Sequence, residues 1–233
     1  MMREESRHRN RTTRALAAIA VALGTLCGTA TAFAQGAVHQ PLNQRTPPGV
    51  AGYWAAALGR ATPLYLQPVK VALPSKGTVT FYDVAARKQY ASAAPAMARL
   101  GVGFTFRVRI DLDKTATTPA TTLYPSIEVI DRLHPPLGKA DQFPIPVRFT
   151  QDEIDLAVAG KMVTKVVYLE QPQLARPADD PLPTATIPPY ENLLKEADRR
   201  GRPMLIVRLG GRQPDSDPWS FLGRGGPFQV PGK

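Results

Sequence analysis

Thiol and imidazole chemistry is nearly missing from this sequence. Its 233 residues hold one cysteine, Cys27, and three histidines, His8, His39 and His134. With one cysteine there is no intramolecular disulfide and no thiolate cluster for a metal. His39 sits in a Pro- and Gln-containing stretch, and His134 precedes Pro135-Pro136 in a turn. Serine is sparse as well. Ser75, Ser92, Ser126, Ser216 and Ser220 follow Ser6, and none lies in a G-x-S-x-G elbow. The glycine pairs of LGGR and GRGGP lack the lysine and the strand-turn-helix setting of a phosphate loop. Neither a cofactor nor a metal is expected.

A spanning helix needs about 20 apolar residues, and the sequence holds no such run. Its one apolar stretch, ALAAIAVALGTLCG, is shorter and starts at Ala15. It follows a segment carrying Arg3, Arg7, Arg9, Arg11 and Arg14 and ends at Ala32-Phe33-Ala34. A charged start, an apolar middle and a small-residue exit form a secretory signal pattern over residues 1–34. An uncleaved anchor is the alternative. The formal charge is +10, from 29 Lys+Arg and 19 Asp+Glu. Cleavage after Ala34 removes five arginines, Glu4 and Glu5, leaving 24 against 17, or +7. The basic residues are scattered. The densest group, Lys195, Arg199, Arg200 and Arg202, alternates with Glu191, Glu196 and Asp198, as on a solvated helix face. No aromatic-interleaved basic motif points to nucleic acid.

Short alternating runs fill the rest. Residues 35–62 read as a linker with one loose turn at YWAAALGR, and 63–212 as a single β-rich domain. PLYLQPVKVAL changes phase at Gln67-Pro68, as an edge strand with a bulge does. FTFRVRI puts Phe104, Phe106, Val108 and Ile110 on one face and Thr105, Arg107 and Arg109 on the other. SIEVID is apolar on both faces around Ile127, Val129 and Ile130. KMVTKVVYLE reads as a strand covered on both sides. ENLLKEADRR is a short helix ending at Gly201, and the tail 213–233 has no periodicity and is expected to be disordered. About seven short strands and two short helices predict an antiparallel β-sandwich or open barrel, with an α+β mixed sheet as the alternative.

The one acidic cluster is FTQDEIDLAVAGK, where Asp152, Glu153 and Asp155 fall within four positions. Thr150 followed three residues later by Glu153 is a capping box, and Phe149 with Ile154 is the matching hydrophobic staple. Gly160 is placed to stop the helix. That spacing predicts a helix with a structural cap rather than a metal site, and only Asp155 lacks a local role. Paired carboxylates are all that a glycosidase requires. Glu128 and Asp131, with His134 near them, are the candidate set, although Glu128 alternates with Ile127 and Val129 like an outward strand residue. Asp111 with Asp113, and Asp215 with Asp217, do not continue into a calcium loop.

Three segments carry a resemblance: PLYLQPVKVALPSKGTVTFYD, then LYPSIEVIDRLHPP running through FPIPVRFTQDEIDLAVAGKMVTKVVYLEQPQ, then ENLLKEADRRGRPMLIVRLGGR. Together they resemble a group of exported proteins typical of planctomycete bacteria, over most of residues 63–212. The resemblance implies an envelope or extracellular location and one β-rich domain, and it brings no catalytic residues with it. The sequence thus predicts an exported, non-enzymatic β-domain of the cell envelope. It would bind or assemble with an envelope protein or polysaccharide, and would not be an integral membrane protein after cleavage. The alternative is a small carboxylate-dependent hydrolase acting on envelope polysaccharide.

Overall fold

Backbone ladders join segments far apart in the chain, so topology is where the structure departs most from the sequence reading. A computed structural model describes residues 47–60, 65–115, 119–172, 184–188, 190–215, 217–223 and 225–232. All of these belong to one unit, His39–Lys233. The expected signal segment 1–34 lies outside the described residues, as does most of the connector after Gln171.

The described residues form four α-helices, one 3-10 turn and twelve strands in three separate four-stranded sheets. The antiparallel sandwich or open barrel of about seven strands is therefore incorrect. The fold is mixed α+β, and among the described residues no sheet closes on itself. The first sheet runs β12 (Phe228–Gln229), β4 (Ala96–Gly101), β1 (Leu66–Ala72), β9 (Ile145–Arg148). Its β1–β9 pair is parallel, from Val69↔Ile145 to Ala72↔Arg148, which a purely antiparallel fold would lack. The second sheet runs β3 (Lys88–Ala93), β2 (Gly77–Asp83), β6 (Arg109–Leu112), β7 (Thr121–Leu123). The third runs β10 (Val163–Glu170), β11 (Gly201–Leu209), β8 (Ser126–Val129), β5 (Thr105–Arg107). The alternating run FTFRVRI supplies both β5 and β6. Its break is Val108, whose N–H donates to the carbonyl of Pro125 at 3.0 Å. Two adjacent chain segments thus serve two sheets in succession.

β1 pairs with β4 on one side and β9 on the other, so it is an inner strand, not the expected edge strand; Pro68 lies one residue before the β9 ladder begins. Pro146 lies on β9, which is an edge. The strand at 163–170, expected to be covered on both sides, is instead the half-buried edge strand β10.

One large apolar cluster holds the sheets together, with Val69, Val79, Phe81, Leu100, Ile110, Ile127, Leu205 and Leu209 at its centre. A smaller cluster forms where α1 (Val50–Ala57) and α3 (Leu193–Arg200) cover the third sheet through Ala51, Ala55, Leu194 and Ile206. Residues 50–57, which the sequence places in a linker, are therefore part of the fold. Gly52 makes this approach possible. A Cβ there would lie 2.8 Å from the carbonyl oxygen of Gly103. The tail also contributes structure: α4 (Pro218–Leu222) buries Leu222, and β12 pairs with β4 through Phe228↔Leu100 and Gln229↔Arg99. The expectation of a disordered tail does not hold for these residues. Among the described residues, no helix is long and apolar enough to cross a membrane.

Candidate functional site

The acidic segment forms α2 (Gln151–Val158). The Thr150 hydroxyl accepts from the Glu153 N–H at 3.3 Å, and the Glu153 carboxylate accepts from the Thr150 N–H at 3.0 Å. Phe149 and Ile154 are both buried in the main core. At the other end Gly160 takes φ +78°. The Lys161 N–H reaches the Leu156 carbonyl and the Gly160 N–H the Ala157 carbonyl, which is the Schellman pattern. Lys165 adds a second function for Glu153. Its ammonium lies 2.8 Å from that carboxylate and 4.8 Å from the Phe149 ring centroid. Asp155, unexplained in the sequence, accepts from the Gln151 side-chain amide one turn back at 2.8 Å. Every acid here but the exposed Asp152 has a polar side-chain partner, and among the described residues no three His, Cys, Asp or Glu side chains gather as a metal site would require.

The candidate catalytic set does not assemble. Glu128 is fully buried, not outward, because α1 covers its face of the third sheet. Its carboxylate accepts from the Gly52 N–H at 2.6 Å and from Arg208 Nη1 at 2.7 Å. Both oxygens are thereby occupied in the interior. Asp131 follows the end of β8 and is buried. It accepts from the Arg132 N–H at 2.8 Å, with the guanidiniums of Arg60 and Arg202 at 3.8 and 3.7 Å. Those two separations are ion pairs without hydrogen bonds. His134 is exposed. The intervening chain is tied to β1 instead, through Tyr65 Oη to the Leu133 carbonyl at 3.1 Å and the Leu133 N–H to Gln67 Oε1 at 2.7 Å.

An open cleft of about 310 Å³ lies elsewhere, at the side of the first sheet. Tyr65 and Leu66 line it from the start of β1, Arg99 from β4, Gln229 from β12, and Gly138, Ala140 and Asp141 from around the 3-10 turn Ala140–Gln142. Arg99 forks onto Asp141: Nε donates to Oδ1 at 2.8 Å, and Nη2 donates to Oδ2. Its Nη1 donates to Gln229 Oε1 at 2.9 Å. The bond from Arg99 holds the Asp141 carboxyl below its ordinary range, against desolvation and with a lesser contribution from the guanidinium charge. What remains free is a mixed array: carboxylate lone pairs, the Gln229 amide N–H groups and the outer guanidinium N–H groups, beside the Tyr65 ring. None of the three sequence candidates lines this cleft. Sequence reasoning missed it because Arg99 and Asp141 are 42 residues apart and Arg99 and Gln229 are 130 apart. No periodicity or short motif joins such positions.

No protein-family model matches the chain, and neither a curated protein nor a solved structure matches it.

Proposed function

We propose that this chain is an exported, non-enzymatic binding domain of the cell envelope that docks on polysaccharide through the Tyr65–Arg99–Asp141–Gln229 cleft. The signal-like pattern of residues 1–34 motivates the location. One observation carries the docking reading: three separated segments converge to hold a preformed Arg–carboxylate–amide network at an open surface. Sugar hydroxyls each donate and accept, so a planar array offering both matches adjacent hydroxyls, and the Tyr65 ring offers an apolar face to a pyranose. Fixed polar groups converging on a concave surface are what ligand recognition requires.

The hydrolase reading has one observation in its favour, since Asp141 supplies an ionised carboxylate in the same cleft. A glycosidase needs a second carboxyl group at roughly 5–9.5 Å, and Asp141 is the only carboxylate among the cleft's lining residues. Binding is therefore the reading we adopt. Co-sedimentation with insoluble envelope polysaccharide tests it, comparing the wild type with Asp141→Ala and assaying released reducing ends. Retention that is lost in the variant, without released ends, is the expected outcome. Equal retention of both proteins contradicts the cleft assignment, and reducing ends that vanish with Asp141→Ala favour the hydrolase.

A further inference from the structure

A second polar region lies on the outer face of the third sheet. Residues directly opposite one another in a ladder point to the same face. Arg208 and Arg107 each pair with Ser126, from opposite sides. The two guanidiniums therefore share a face, with one strand between them. Arg212 joins them at Phe221, where the Arg107 and Arg212 guanidinium carbons lie 4.0 and 5.6 Å from the ring centroid. Among the described residues, neither Arg107 nor Arg212 has an acidic partner. Arg107 Nη1 donates to the backbone carbonyl of Phe221, a neutral acceptor. Asp217, at the start of the same short helix, is occupied by the Trp219 and Ser220 N–H groups. The one carboxylate beneath, Glu128, is taken by Arg208 Nη1 and Gly52. Arg208 Nη2 is buried with no hydrogen-bond partner, on a side chain 7% exposed. Arg107 is half-buried without a counter-charge, which is unfavourable, and burial followed by the charge of the exposed Arg212 pulls its pKa down.

An oxyanion would relieve this arrangement, because a charge-assisted bond is about twice as strong as one to a neutral carbonyl. The flanking aromatics favour a sugar-borne anion. Tyr82 and Tyr124 stand edge-on to Trp219 and Phe221, with centroids 5.9 and 5.5 Å apart, so moving α4 would uncover two rings beside the guanidiniums. We propose that Arg107 and Arg212, backed by Arg208, form a carboxylate-binding site for an acidic polysaccharide, closed in this structure by Phe221.

The test is calorimetric titration at low salt with polygalacturonate, with dextran as the neutral control and a single-stranded oligonucleotide as the competing anion. Emission from Trp219 in a Trp54→Phe background reports movement of α4. Saturable binding of polygalacturonate but not dextran, with a shift in Trp219 emission, is expected. Arg212→Gln should weaken that binding about tenfold, the loss of one charged hydrogen bond, with melting unchanged. Phe221→Ala should tighten it. The inference stands apart from the first cleft, and Lys195→Gln, which removes an exposed charge on α3 outside both sites, should bind polygalacturonate as the wild type does. It is overturned by absent binding in both the wild type and Phe221→Ala, by wild-type affinity in Arg212→Gln, by unchanged Trp219 emission on binding, or by tighter binding of the oligonucleotide.

Discussion

Glu128 and Asp141 show how little a carboxylate's neighbours in sequence say about its use. Glu128 alternates with Ile127 and Val129, a pattern that reads as outward. The face it points to is sealed by α1, and its partners Gly52 and Arg208 are 76 and 80 residues away. Removing one member of a buried ion pair leaves the other charge uncompensated, at a cost of about 3 kcal/mol or more. Glu128→Gln should therefore lower the unfolding free energy by about that amount in urea titrations. An unchanged midpoint would show that Glu128 is not a structural anchor. Asp141 behaves differently because it is partly exposed. Its folded pKa lies below the unfolded one, so its stabilising contribution is full above the ordinary carboxylate range and fades as pH falls through the depressed folded value. Asp141→Asn should lower neutral-pH melting slightly, as expected for a partly exposed pair, and flatten the acid limb of the stability profile, because variant and wild type converge at low pH. A wild-type acid limb in the variant would mean that the Arg99 fork does not persist in solution.

Elements defined by their own residues were legible in the sequence. Helix α2 has its start written in Phe149, Thr150, Glu153 and Ile154 and its stop in Gly160, all within twelve positions. Thr150→Ala should cost about 1 kcal/mol through the lost cap. Gly160→Ala should cost about as much because φ +78° disfavours a Cβ. No atom lies within 4 Å of that Cβ position, so this second cost is conformational and not steric. Thermal melts of both variants check the pair; wild-type melting in both would mean that the helix ends do not limit stability. Helix α3 was readable from ENLLKEADRR and its Gly201 stop; the structure adds the Asn192 side-chain cap, which accepts from the Leu194 and Lys195 N–H groups. Helix α1 was not. Its sequence VAGYWAAA has no side-chain cap, and its place in the fold depends on the sheet it covers.

At the scale of the whole molecule, strand order was hidden because ladders join remote segments. The parallel β1–β9 pair joins residues about 76 positions apart, and nothing in the alternation of either strand names the other. The same limit concealed the tail. β12 is two residues long, too short for any period, yet it brings Gln229 to Arg99. Truncation after Arg212 removes the burial of Leu222 and the β12–β4 pairing, so it should lower stability by roughly 3 kcal/mol. Unchanged melting would return the tail to the status of an appendage. Truncation should also abolish cleft binding, since Gln229 is lost with it.

The interior acids hold the fold, while the surface cleft is the proposed glycan site. Amide chemical-shift mapping during titration with a neutral soluble envelope oligosaccharide, which carries no carboxylate for the Arg107–Arg212 site, tests this. Shifts should cluster at residues 65–66, 99, 138–141 and 229, with residues 126–131 and 202–208 unmoved. Shifts centred on Glu128, Asp131 and Arg208, with the cleft silent, would contradict it.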